Sequence, residues 1–310
     1  METLVIETIE QKILRAEAHI GNTPLIPILG LHHNPDVKIF AKVEWEQLSG
    51  SVKARAAFNI IKEGFINGEL TPDKTLLDAT SGNTGIAYAA IGKELGIKVT
   101  LLLPENASKE RKEILESLGA EIIFTSKFGG TDEAQELADE LAREYPKKYF
   151  YASQYRNDSN WKAHYYGTAE EIYSELPEVD YFVAGLGTTG TFTGTSKKLK
   201  ELNPAITTVA LQPDNPLHGL EGWKHLDTAI IPTIFQPEFA DRIIEVSTEY
   251  AYQIISAVYE NSGLLISPSS AANIVGALLV ADTIKSGTIV TVLPDNADRY
   301  GEIIQSILKS

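Results

Sequence analysis

Short apolar runs rich in β-branched residues, each followed by a stretch of helical periodicity, recur down this chain. That alternation limits the fold more than any other feature. The runs KIFAKV, TLLDA, KVTLLL, AEIIFT and KYFYAS are separated by helical patterns near 53–67, 83–95, 107–118 and 131–144. Gly96 and Gly119 fall just past Leu95 and Leu118, where a helix end calls for left-handed backbone. A helix over Glu7 to Ala18 and a turn with a short extended segment in GNTPLIPI precede these. The second half continues with a helix near 159–175, the strand DYFVAG, a helix from about Thr191 and the strand TTVAL. Helices at 248–261 and 270–285, the strand TIVTVL and a terminal helix complete it. Strands alternating with helices predict right-handed βαβ crossovers and parallel sheets. No Gly/Ser or Pro-rich linker and no fixed-period repeat interrupts the pattern. Two α/β domains packed directly on each other are therefore expected rather than one very wide sheet.

Composition narrows the function. With 43% hydrophobic and 22% charged residues the chain is globular rather than disordered. Forty-two acids against 27 bases give a net charge of −15, which repels nucleic acid and anionic membrane and favours a small-molecule partner. No apolar run approaches a membrane span, and the N-terminus METLVIETIEQKIL carries acids without a small-residue cleavage site, so a cytoplasmic location is expected. There is no cysteine, and the six histidines lack ligand spacing, so no metal site is expected.

Chemistry concentrates in three stretches. In LSGSVKARAAFNII, Lys53 stands at the entry to an amphipathic helix beginning near Val52. A lysine there meets the positive end of the helix dipole, and if buried it becomes a nucleophilic amine. TSGNTG, residues 80–85, follows the strand TLLDA and reads as an anion cradle sized for a carboxylate, or otherwise as a well-capped helix start. GLGTTGT, residues 185–191, matches the G-x-G-x-x-G spacing between a strand and a helix and reads as a second cradle, with threonine hydroxyls added to the backbone donors. A dinucleotide is disfavoured: the next strand ends in Gln212 and Pro213 where an acidic ribose ligand would stand, and the motif lies deep in the chain. Two cradles and a lysine suit a ligand with a phosphate at one end and an amino-acid carboxylate nearby. Pyridoxal phosphate joined to an amino acid has that charge layout.

GNTPL, GSVK followed by Arg55, TSGNTG, the loop GTTGT and a late SPSSAA occur in order from about Gly21 to Tyr300. Together they resemble the cysteine synthase group of fold-type II pyridoxal-phosphate enzymes, which includes O-acetylserine sulfhydrylase and cystathionine β-synthase. The resemblance implies two three-layer α/β domains with mostly parallel central sheets, residues 1–152 and 153–310, and the cofactor in the cleft between them. It further implies a mobile substrate-closing subdomain at about 42–150 and a homodimer. Lys53 is similar to the lysine that holds the cofactor as a Schiff base and moves the substrate α-proton. Asn83 matches the residue bonded to the cofactor's ring hydroxyl. Thr80, Ser81, Thr84 and Gln154 resemble the clamp on the substrate carboxylate. Gly187, Thr188, Thr189, Gly190 and Thr191 match the phosphate loop, and Ser269 the hydroxyl facing the pyridine nitrogen. Gly219 and Gly222 fall in the loop bordering the substrate.

The implied reaction is replacement at Cβ of an activated serine by sulfide, through elimination to an aminoacrylate and addition, giving L-cysteine. A neutral serine at the ring nitrogen implies that no proton is held there and that the ring is a moderate electron sink. O-acetylserine is the expected donor. O-phosphoserine is the alternative, since Lys224, His218 and His225 lie in the HGLEGWKHLDTAIIP loop and a phosphate leaving group needs a cation. A cystathionine β-synthase or a cysteine-degrading enzyme is the nearest rival. A nicotinamide oxidoreductase and a catalytically weak binding protein are more distant ones; retention of Lys53, Asn83 and Ser269 speaks against the last. Departures from the group's pattern are Ala54 for an aspartate, Ser267-Pro268 for a glycine-led pair, Ala271 for a glycine and Thr189 in a loop often written GTGGT; none removes a group that performs chemistry. His164, Trp45, Trp161 and Trp223 read as packing residues.

Overall fold

The computed structural model describes residues 7–80 and 82–309. The chain forms two units. One runs to Gly21 and takes in Gln47–Ser49 and Lys53–Gln154; the other comprises Asn22–Glu46, Gly50–Val52 and the chain from Tyr155 onward.

The first unit is built on four parallel strands, β3 (Thr75–Ala79), β4 (Lys98–Pro104), β5 (Glu121–Thr125) and β6 (Tyr149–Tyr151), in the order β5-β4-β3-β6. Successive side chains of a strand point to opposite faces. Accordingly Leu76, Leu101 and Leu103 pack on one side with α1 (Ile9–Glu17), α2 (Lys53–Ile66), α3 (Asn83–Leu95) and α4 (Lys109–Ser117). Leu77, Ala79 and Leu102 pack on the other with Ala134 and Ala138 of α5 (Gly130–Glu144). Gly96 closes α3 at φ 75°, as its place in the sequence predicts.

The second unit has six strands in the order β1-β2-β10-β7-β8-β9: β1 (Leu25–Pro27), β2 (Val37–Val43), β7 (Tyr181–Gly185), β8 (Thr207–Pro213), β9 (Arg242–Val246) and β10 (Gly287–Leu293). Only the β1–β2 pair is antiparallel. One face carries α9 (Thr248–Ser262), α10 (Pro268–Ala281) and α11 (Gly301–Lys309), packed on Val183, Leu211 and Ile289. The opposite face carries α7 (Ala169–Glu175) and α8 (Gly190–Leu202), packed on Phe182, Ala210 and Val290. Lys42 of β2 is fully buried; its ammonium donates to the carbonyl of Thr23 and pairs with Glu171 at 3.0 Å and Glu175 at 3.1 Å. Only the ammonium is fully buried, Glu175 being largely exposed, so the burial cost falls on Lys42 and is offset by the carbonyl and the two carboxylates together.

Three expectations need correction. Residues 22–46 and 50–52 lie in the second unit rather than in a first domain spanning 1–152, because β2 pairs along its whole length with β10, from Val37 opposite Gly287 to Val43 opposite Leu293. Chain order cannot show which sheet a strand joins. The single helix expected near 159–175 is α6 (Ser159–Ala163), a π-helical turn at His164–Thr168 and then α7. β9 was not expected; at the sheet edge, with Arg242 and Ile243 exposed, it lacks the apolar run of a central strand. No helix among the described residues is long and apolar enough to cross a membrane.

Candidate active site

Both sheets reverse their direction of growth once, and Thr80, Asn83, Thr84 and Gln154 in one unit and the glycine loop in the other follow strands at those reversals. In the first unit β3, β4 and β5 follow one another outward, whereas β6 returns to the other side of β3. The loops leaving β3 and β6 therefore diverge at neighbouring carboxyl ends, the arrangement that opens a ligand crevice in a parallel sheet. Thr80 occupies the first loop and Gln154 the second. The Thr84 hydroxyl, at the start of α3, donates to the Gln154 side-chain oxygen at 2.6 Å, with both residues buried.

A buried carboxylate fixes this junction. Asp78, within β3, accepts the Ala79 N–H at 2.8 Å through one oxygen and the Gln154 N–H at 3.3 Å through the other. Gly82, not a hydroxyl residue, is the N-cap of α3, and it has no side-chain cap hydrogen bond. The hydroxyl of Thr80 accepts the Gly82 N–H at 3.3 Å. The capping alternative for TSGNTG is thus not what the described residues of this segment do. Lys53 opens α2 and Asn83 opens α3, two helices packed side by side, and both residues are partly buried. Ser81 lies outside the described residues.

In the second unit β7, β8 and β9 grow outward while β10 returns to the far side of β7. The loop after β7 is GLGTTGT, and the loop after β10 holds Asp295. The Lys224 N–H donates to the Leu186 carbonyl at 2.7 Å, and a side chain at Gly187 would strike the Gly222 carbonyl. The HGLEGW loop is thereby set against the glycine loop, which joins two stretches distant in sequence. Asn160 abuts Gly190 and donates to the Thr188 hydroxyl at 3.1 Å. His164, expected to be a packing residue, is indeed buried, but its ring spans two hydroxyls: Thr168 at 2.9 Å and Thr191 of the loop at 3.3 Å. Gln212, at the end of β8, accepts the Leu226 N–H at 3.2 Å.

Thr189 is the N-cap of α8 with left-handed backbone, φ 72°. It is 2% exposed, and its hydroxyl has no hydrogen-bond partner among the described residues. A strained β-branched residue with an orphaned hydroxyl, at the N-terminus of a 13-residue helix, fits a bound phosphate that completes it. Ser269 lies in the first turn of α10, which Ser267 caps by accepting the Ser270 N–H, with Pro268 at the favoured first position. That explains why Ser267-Pro268 is accommodated.

Two charged features decide the character of the HGLEGW loop. The Lys224 ammonium sits 4.9 Å from the centre of the Tyr155 ring. His218 accepts the Leu220 N–H at 3.1 Å through Nδ1, and burial, followed by the charge of His225, lowers its pKa below 6.5.

The pyridoxal-phosphate dependent enzyme family model matches residues 16–295. The chain belongs to this family. It is 41% identical over 289 residues to a cysteine synthase of Aquifex aeolicus, covering 91% of this chain and 88% of that one. It is 36% identical to an O-acetylserine dependent cystathionine β-synthase of Bacillus subtilis, covering 91% and 94%. It superimposes with a TM-score of 0.89 on a hydrogen sulfide-producing enzyme of Fusobacterium nucleatum, 33% identical and covering 97% and 93%. This pyridoxal-phosphate enzyme is therefore of the cysteine synthase type, and pyridoxal phosphate is its cofactor.

Sequence reasoning missed four residues that organise the site: Asp78, Asn160, Asn273 and Asp295. Asn273 ties two elements by accepting the Gly185 N–H and donating to the Val292 carbonyl, each at 2.8 Å. The available signal was polarity out of place: Asp78 interrupts an otherwise apolar strand, and Asn273 an apolar helix.

Thr189→Gly should stabilise the cofactor-free enzyme. Left-handed backbone costs a side-chain-bearing residue about 1–2 kcal/mol, and the extra unfolded-state freedom of glycine offsets roughly 0.5–1 kcal/mol of that. A net gain of about 0.5–1 kcal/mol in unfolding free energy is expected, read as a higher urea midpoint at unchanged slope. His218 predicts a pH effect. Because its folded pKa lies below the unfolded 6.5, the unfolded chain binds more protons in that window, so stability falls as pH drops through it. His218→Asn keeps an acceptor for Leu220 but cannot titrate. Urea midpoints at neutral and mildly acidic pH should therefore diverge less for this variant than for wild type.

Proposed function

We propose that the enzyme forms L-cysteine from O-acetylserine and sulfide by replacing the group on Cβ. When bound, pyridoxal phosphate supplies a conjugated electron sink for the bonds at Cα. Lys53 holds the cofactor aldehyde through its amine and carries the Cα proton. The paired Thr84 and Gln154, with Thr80 and Ser81, orient the substrate carboxylate. Asn83 bonds the ring hydroxyl, the loop from Gly187 through Thr188, Thr189 and Gly190 to Thr191 receives the phosphate, and Ser269 meets the ring nitrogen. Gly219 and Gly222 leave room for the substrate side chain. We place the enzyme in the cytoplasm as a homodimer.

The observation that carries the choice of donor is the seat of Lys224 over the Tyr155 ring. A phosphate leaving group needs cations directed at it. Here the loop's ammonium is drawn to an aromatic face, and His218 is biased toward its neutral form. An acetate ester makes no such demand. O-acetylserine is also the donor named for the Bacillus subtilis relative.

Two measurements test this reading. Borohydride reduction and peptide mapping should place the reduced cofactor on Lys53, and Lys53→Ala should lose turnover while keeping its fold by circular dichroism; a modified peptide from elsewhere would remove Lys53 from its role. For the donor, kcat/KM should favour O-acetylserine over O-phosphoserine, and Lys224→Ala should move both alike. A loss confined to O-phosphoserine of about tenfold or more, equivalent to ~1.4 kcal/mol of transition-state binding, would make Lys224 the phosphate ligand instead.

A further inference from the structure

The HGLEGW loop has two seats. The N–H of Gly219 donates to the Thr248 hydroxyl at 2.9 Å, and that of Leu220 to Nδ1 of His218 at 3.1 Å. Thr248 is the first residue of α9, and Tyr252, one turn further along, closes on the same glycine. A side chain at Gly219 would lie 2.6 Å from the Tyr252 hydroxyl and 2.9 Å from Cγ2 of Thr248. Leu220 is fully buried in the core cluster that also holds Ala251 and Ile255. Thr248, Ala251, Tyr252 and Ile255 are spaced as one face of a helix. The first half of the loop is therefore seated on α9, and the second half on the glycine loop through Gly222 and Lys224. All of these residues belong to the second unit.

The two seats serve different ends. Gly222 and Lys224 meet the stretch read as the phosphate site, so their seat answers to the cofactor. The α9 seat holds Gly219, read as a border of the substrate. Between them the chain turns tightly, the Trp223 N–H donating to the Leu220 carbonyl at 3.2 Å with Gly222 at φ 81°. A loop released at Gly219 could thus shift against the substrate while its far end stays on the glycine loop. Displacements well under the length of a bond contact are enough to matter for substrate positioning.

We infer that Thr248 is a positioning residue for the reaction: by accepting the Gly219 N–H it holds the first glycine of the loop in place against the substrate. The inference rests on the reading of Gly219 as a border of the substrate site. A hydroxyl accepts from an N–H and a methyl does not. Thr248→Val therefore keeps the shape and the β-branching but removes the bond, whereas Thr248→Ser keeps the acceptor. Because Thr248 takes no part in the contacts between Gly187, Gly222, Leu186 and Lys224, its loss should weaken substrate binding and leave the cofactor held.

The test compares wild-type holoenzyme with Thr248→Val and Thr248→Ser in three measurements: hydrogen exchange of the peptide carrying Gly219, kinetics with O-acetylserine and with O-phosphoserine, and the equilibrium constant for cofactor release. Thr248→Val should speed exchange and lower kcat/KM by about tenfold, equivalent to ~1.4 kcal/mol, with the change carried by KM and cofactor release unmoved. Thr248→Ser should behave as wild type in all three. Exchange unmoved by valine overturns the inference. So does a serine variant as impaired as the valine one, which would mark a packing effect, and so does a parallel loss of cofactor, which would make Thr248 a support of the whole site. Faster exchange with unchanged kinetics shows that Gly219 does not border the substrate, and the inference falls with that reading. A wild-type preference for O-phosphoserine overturns the choice of donor alone, since the variants are then compared on that donor; turnover of neither donor removes the proposed function and this inference together. Should Thr248→Val not fold, Thr248→Ala, which also lacks the acceptor, takes its place in every comparison.

Discussion

The single reversal of strand order in each sheet is the constraint on which the rest of this structure depends. A parallel strand delivers its chain to the sheet's carboxyl edge, where the next helix begins with N–H groups that have no partner inside the helix. Where two adjacent strands send their helices to different faces, the loops part and those donors face open space. Polar side chains placed there, such as Thr84, Gln154 and Thr189, are buried among backbone and one another. The glycine loop with the segment after β10 uses this geometry in the second unit, where α8 and α11 lie on opposite faces; in the first, α3 follows β3 while β6 is the last strand before the chain enters the second unit, and Thr84 meets Gln154 where the two loops part.

Rigid buried polar groups hold both edges in shape. Asp78 spans adjacent loops through its two oxygens, Asn273 links β7 to β10 from a helix, and Asp295 gathers hydroxyls from α10 and Tyr300. Each is satisfied on more than one side, which is what makes burial of such groups tolerable. Close backbone approach does the rest, as where Gly187 meets the Gly222 carbonyl.

Much of this was legible in the sequence because local rules govern it. Period-two and period-3.6 patterns located most strands and helices, the glycine past Leu95 marked a real stop, and hydroxyl-rich and glycine-rich stretches after strands marked both loops. What stayed hidden was long-range pairing. Nothing in KIFAKV tells that it lies beside TIVTVL rather than TLLDA, because all three are buried parallel strands with the same apolar character. The π turn at His164 escaped because its residues suit an ordinary helix equally well. Asp295 escaped because its partners are brought to it by the fold, with Ser269 26 residues away in sequence.

The pairing of β2 with β10 also has a consequence in time. These central neighbours join the first fifth of the chain to nearly its end, and the whole of Lys53–Gln154 is inserted between them. Contacts of such sequence separation form late, because loop closure must come first. During synthesis the inserted unit can complete its own sheet while β2, carrying the ammonium of Lys42, waits for a neighbour not yet made. The order of birth along the chain therefore differs from the order of assembly, and the segment that is translated early is among the last to find its place.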